Sequence, residues 1–116
     1  GRSHAALLTT SDRLARELSR AGERCGEPLW RLPLHEDYRA ALDSAVADAR
    51  HAVMAKAPGG GAITAGLFLE PFVAGVPWAH LDIAGTGRSE RETDRTPKGA
   101  TGFGAALLLE WLTALR

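Results

Sequence analysis

Apolar and polar positions along this chain fall into blocks with clear periods. His4 to Thr9 is a short apolar run and predicts a strand. Thr10, Ser11 and Asp12 follow with helix N-cap chemistry, since their short side-chain oxygens can accept free backbone N–H groups. Leu14, Leu18, Ala21 and Cys25 then recur at helical spacing, with Arg13, Arg16, Glu17 and Arg20 covering the rest. Gly26 and Pro28 stop this helix, so the expected span is 12 to 25. Leu29 to Pro33 reads as extended or loop, because Pro33 holds Leu32 away from helix. Glu36 to about Ala49 is expected to be helical, with Tyr38, Leu42, Ala45 and Ala49 on one stripe.

The segment from His51 to Gly61 ends in Pro58-Gly-Gly-Gly61 and reads as a flexible loop. Ala62 to Ala74 is apolar nearly all round, which predicts a helix buried on most sides, shortened or bent by Pro71. Trp78 to Ile83 is the second expected strand, with Trp78, His80 and Asp82 pointing to one side. Gly85 to Lys98 is a charged loop of mixed sign. About Gly102 to Leu115 is the last helix, with Leu108, Trp111, Leu112 and Leu115 on one face. Strands alternating with helices favour an α/β layered fold. Two strands make a poor sheet, since independent stability needs three or more with a covered face. That shortfall suggests that the chain is part of something larger; its opening on Gly1-Arg-Ser-His without Met reads either as loss of an upstream piece or as an added remnant at Gly1.

At 116 residues the chain is at most one domain. Fourteen basic and fourteen acidic residues cancel, leaving no net electrostatic case for nucleic acid or an anionic membrane as partner. No apolar run approaches the roughly 18 residues that span a bilayer. Cys25 is the only cysteine, which excludes an internal disulfide and a Cys-based zinc site and suits a cytoplasmic location.

Four places invite a chemical reading. His80 and Asp82 share one face of a strand, a spacing that metals exploit, but no further ligand cluster is evident. The plainer reading is a buried His and Asp bonded to backbone or to each other. Pro58-Gly-Gly-Gly61 ahead of an apolar helix has the form of an anion loop but lacks the Gly-Lys-Ser/Thr ending of a phosphate loop. A glycine hinge for close helix packing is the plainer reading there. Lys98-Gly-Ala-Thr-Gly-Phe-Gly104 again puts glycines before a helix, where Lys98 could meet an anion and Thr101 could cap, or the whole could be a structural turn. Cys25, on the apolar face near a helix C-terminus, reads as a core thiol.

Several blocks together carry a resemblance. They are Gly26-Glu-Pro-Leu-Trp-Arg-Leu-Pro-Leu34 with Tyr38, Ala47-Asp48, Gly60-Gly-Ala-Ile-Thr-Ala-Gly66, Trp78-Ala-His-Leu-Asp-Ile-Ala-Gly-Thr86 and Lys98-Gly-Ala-Thr-Gly102. In this order they resemble the C-terminal part of the catalytic domain of the leucyl aminopeptidase (cytosol aminopeptidase) family. The resemblance implies a partial three-layer α/β/α sandwich, the C-terminal portion of a zinc-peptidase-like domain, over residues 1–116. It implies a parent enzyme that releases N-terminal amino acids from peptides, with two divalent ions (zinc, manganese or magnesium) activating a bridging water. It also implies a cytoplasmic homohexamer.

The family's Asn-Thr-Asp-Ala-Glu-Gly-Arg signature, which carries two of the metal ligands, is absent from this sequence. No catalytic residue and no metal ligand is therefore assigned here, and the isolated chain is expected to bind no metal and to be inactive. The turn Ala84-Gly85-Thr86-Gly87 resembles the segment lining the pocket for the substrate's N-terminal side chain. Ala84 and Gly87 are the substrate-binding positions the resemblance implies, small enough to admit a leucine-sized group. One departure is His51-Ala-Val-Met-Ala-Lys-Ala57, where the family often has Asn and a glycine pair. The alternative reading is a naturally short, non-catalytic relative acting as an interaction or scaffold domain.

Overall fold

The computed structural model describes residues 1–51, 59–94 and 96–115. β1 (Ala5–Leu8) leads into α1 (Asp12–Cys25) and then β2 (Leu29–Arg31), which lies parallel to β1. β3 (His80–Asp82) pairs antiparallel on the other edge of β1, giving the order β2-β1-β3. The third strand that the sequence did not declare is therefore β2. It is only three residues long and bracketed by Pro28 and Pro33, so no period could mark it.

β1 is central, and its pleat sorts the core into two layers. Leu7 packs with Leu14, Ala15, Leu18 and Ala21 of α1 and with Leu107. Leu8 faces the opposite way, against Leu42, Ile63 and Leu67. Helices thus cover both faces of one sheet, the partial α/β/α sandwich expected.

α1 spans the residues that its periodicity predicts. Ser11 Oγ accepts the Leu14 N–H at 3.2 Å, and Gly26 closes the helix in the left-handed region with its N–H on the Gly22 carbonyl. Beyond β2 the expectation of one α-helix over 36–49 fails. A 3-10 helix runs Glu36–Leu42 and stops at Asp43, whose backbone is extended. Ser44 explains the stop, because its hydroxyl accepts from the N–H groups of Val46 and Ala47 at 3.3 and 3.2 Å, offering the backbone a local alternative to helix.

α2 (Gly61–Leu69) is uniformly apolar, as read, and continues as a 3-10 turn over Glu70–Val73. Pro71 forces that change, since it has no N–H to donate back into an α-helical ladder. Gly60, the residue before α2, lies against the Tyr38 ring, where any Cβ would collide. That is the close packing expected of the glycine loop, most of which (52–58) lies outside the described residues.

The expected charged loop after β3 contains a small hairpin, β4 (Arg88–Ser89) with β5 (Gly99–Ala100). The last helix, α3 (Ala105–Ala114), buries a different face from the one expected. Leu107 is fully buried, whereas Leu108, Leu112 and Leu115 are exposed. A helix with apolar side chains on several faces cannot declare its inner face by period. Polar ties to α1 choose it: Trp111 Nε1 donates to Glu17 at 3.2 Å and Arg24 pairs with Glu110 at 2.6 Å.

Candidate functional site

The turn that follows β3 is wound by its own backbone. Asp82 Oδ1 accepts the Ala84 N–H at 2.9 Å, an Asx turn that bends the chain as the strand ends. The Ile83 carbonyl accepts from both Thr86 and Gly87, at 3.1 and 2.7 Å. Gly87 must therefore be small, since a Cβ there would stand 2.9 Å from that same carbonyl oxygen. Ala84 is exposed at the crest and Gly87 is half-buried beneath it.

This turn is fastened to the second glycine block. Thr101 donates its N–H to the Gly87 carbonyl at 3.1 Å and its hydroxyl to the Thr86 carbonyl at 2.7 Å. The two most specific sequence blocks, 78–86 and 98–102, thus meet in space. Lys98 is exposed beside the hairpin and pairs with no acidic side chain among the described residues. Thr101 accepts the Phe103 N–H but does not cap α3. Glu27 does so from far along the chain: its Oε2 accepts from Gly104 and Leu107 at 3.0 and 2.8 Å, placing a carboxylate at the positive end of α3. Sequence reading missed Glu27, whose only signal was its place in the Gly-Glu-Pro block.

His80 and Asp82 do not make a metal pair. The Asp82 carboxylate is engaged with the turn, and no third ligand joins them. Among the described residues no three His, Cys, Asp or Glu side chains gather as a metal site would require. The plainer reading holds for Asp82 only, because the buried Nε2 of His80 has no hydrogen-bond partner among the described residues. Cys25 is half-buried against the α1 core, its Sγ 3.6 Å from the Gly22 carbonyl. His4 stands edge-on to Trp30 at 5.6 Å, and His35 receives the Asp37 N–H at the start of the 3-10 helix. Among the described residues, the two ions implied by the resemblance find no fitting donor set.

Among the described residues, a charged network with shifted protonation lies elsewhere. Arg39 bridges Glu36 and Glu70, at 2.6 Å to each, joining the two 3-10 helices. The hydrogen bond from Arg39 lowers the Glu36 carboxyl below its ordinary 4.5, and the bonds that Arg39 donates to Glu36 and then to Glu70 raise the guanidinium.

Comparison with known proteins decides the family. The cytosol aminopeptidase family, catalytic domain, matches residues 1–109. The chain belongs to this family. It is 47% identical over 114 residues to a probable cytosol aminopeptidase of Synechococcus sp. (strain JA-3-3Ab), covering 98% of this chain and 22% of that relative. A probable cytosol aminopeptidase of Ehrlichia ruminantium (strain Gardel) is 49% identical over 105 residues, covering 90% and 21%. Among solved structures, the bottromycin maturation enzyme BotP in complex with Mn superposes with a TM-score of 0.88 at 45% identity, over 99% of this chain and 25% of that one. A tomato leucine aminopeptidase variant gives 0.83 at 43% identity, over 98% and 21%. The chain therefore spans about a fifth of the length of the relatives it matches. No helix among the described residues is long and apolar enough to cross a membrane.

Proposed function

We propose that these residues form the substrate-pocket side of a metal-dependent aminopeptidase that removes N-terminal amino acids from peptides. The observation that supports this best is the turn at 82–87, wound on the Ile83 carbonyl and bolted to Thr101, in a chain of this family. Its crest offers Ala84 and Gly87 to the substrate's N-terminal side chain. Small groups at both positions leave space for a leucine-sized side chain, and the fixed backbone keeps that space open without substrate. Two divalent ions, manganese or zinc, would be held by carboxylate and lysine ligands outside residues 1–116. They would supply a nucleophilic water and polarise the scissile carbonyl. In this reading the parent is a cytoplasmic homohexamer acting on peptides, and 1–116 is the C-terminal portion of its catalytic domain.

Leucine p-nitroanilide turnover with added manganese tests the reading. Residues 1–116 alone should show none, and a longer chain that also carries the metal-ligand block should hydrolyse the substrate. Robust turnover by the 116-residue chain would overturn the assignment of metals to other sequence. An interaction or scaffold role is the second reading, favoured by exposed Leu108, Leu109 and Leu112 on α3.

A further inference from the structure

A cavity of about 420 Å³ opens where the N-terminal residues meet the β4–β5 hairpin. Its wall carries Arg2, Arg88 and Arg91 against a single carboxylate, Glu90, with Thr86 and Thr101 beside them. Arg2 is already engaged, its two terminal nitrogens on the two Glu90 oxygens at 2.9 and 3.3 Å. Arg88 and Arg91 make no ion pair with a described residue. Thr101 is engaged as well, through Thr86 and Phe103. Thr86 differs: it is 5% exposed, and its hydroxyl is closed off from solvent with no partner among the described residues. A buried hydroxyl without a partner is unusual in a folded protein.

We propose that this cavity binds a carboxylate. Two unengaged guanidiniums supply forked donors matched to a pair of carboxylate oxygens. The Thr86 side chain, turning about its Cα–Cβ bond, can bring its idle hydroxyl to the same ligand. Glu90 in the wall disfavours a multiply charged phosphate, because like charges at short range repel. The volume lies at the small end of ligand sites, which run to roughly 300–1,000 Å³, and fits a short peptide or a small acid. The carboxylate comes either from a peptide C-terminus or from an acidic side chain. Such binding requires no turnover, so it stands or falls apart from the peptidase reading.

Amide NMR titration of the 116-residue chain separates the sources. The probes are trialanine, Ala-Glu-Ala amide, trialanine amide and inorganic phosphate. Saturable shifts at Thr86, Arg88 and Thr101 are expected with one or both carboxylate probes, and which one responds names the source. Trialanine amide should leave these signals in place. Arg88→Ala and Arg91→Ala, both at exposed positions, should weaken binding by about tenfold each. Thr86→Ser should retain binding, while Thr86→Val should weaken it. The proposal is overturned if trialanine amide binds as well as trialanine, or if phosphate binds more tightly than either carboxylate. It is equally overturned if Arg88→Ala has no effect, or if no carboxylate probe binds by about 10 mM, the limit of a useful weak complex.

Discussion

Ala84 and Glu27 show how differently single residues bear on this chain. Ala84 is exposed at the crest of its turn, so a change there should leave the fold alone and, under the proposed reading, act on ligand. In a longer chain with the metal block, Ala84→Phe should lower kcat/KM for leucyl substrates by about tenfold or more while sparing alanyl ones, as filling a pocket by a few methylenes does. An equal loss for both substrates would remove Ala84 from the pocket. Glu27 is the reverse case, a carboxylate whose role is structural. Glu27→Ala should cost about 1–2 kcal/mol in urea unfolding, because the Gly104 and Leu107 N–H groups lose their acceptor. Glu27→Gln keeps a carbonyl oxygen and should lose less. At Glu36 the folded carboxyl titrates below its ordinary 4.5, owing first to the hydrogen bond from Arg39. Its contribution is therefore present above about pH 4.5 and is lost as pH falls through the folded value. The stability gap between wild type and Glu36→Gln should be small, since Glu36 is exposed, and should close on acidification. A gap that widens at low pH would contradict that sign.

The joint between α1 and α3 depends on the absence of a side chain. Gly22 is buried in the α1 interior, where alanine would ordinarily stabilise a helix by up to about 1 kcal/mol. A Cβ there would run into the Glu27 backbone carbonyl and stand 3.1 Å from Leu107 Cδ1. Backbone cannot move aside cheaply, and Glu27 N–H also donates to the Gly22 carbonyl at 2.8 Å. Gly22→Ala should therefore be net destabilising by about 1–3 kcal/mol in chemical denaturation, with overpacking outweighing propensity. A stabilised variant would mean that the joint can open.

The same elements explain which parts of the fold were legible beforehand. α1 could be read because it is amphipathic and capped by Ser11 and Gly26. α3 could be located but not oriented, since apolar side chains lie on several of its faces and its partners Glu27 and Glu17 lie 80 and 94 residues before Leu107 and Trp111. β2, β4 and β5 are two or three residues long, too short for any period to register. At the site, the turn was marked only by its resemblance to a family segment, whereas the arginine-lined cavity was not marked at all. Its wall draws on residue 2 and on positions scattered between 86 and 101, brought together only by the hairpin.

Among the described residues, two hydrophobic layers share no buried residue and are joined through one four-residue strand. Leu7 belongs to the α1–α3 layer and Leu8 to the α2 layer, and both are fully buried. Neither layer can keep its face of the sheet intact if β1 leaves, because among the described residues β2 and β3 hydrogen-bond to β1 and not to each other. Global unfolding is therefore expected to be a single transition in spite of the divided core. Leu8→Ala, which trims the α2 layer alone, should cost about 2–5 kcal/mol. It should lower the melting point reported by Trp111 on one face and by Tyr38 on the other by the same amount. Near-UV circular dichroism can follow both aromatic signals, and amide exchange can report α1 and α2 separately. If α2 amides exchanged early while α1 and α3 kept wild-type protection, the layers would be independent units and β1 would not couple them.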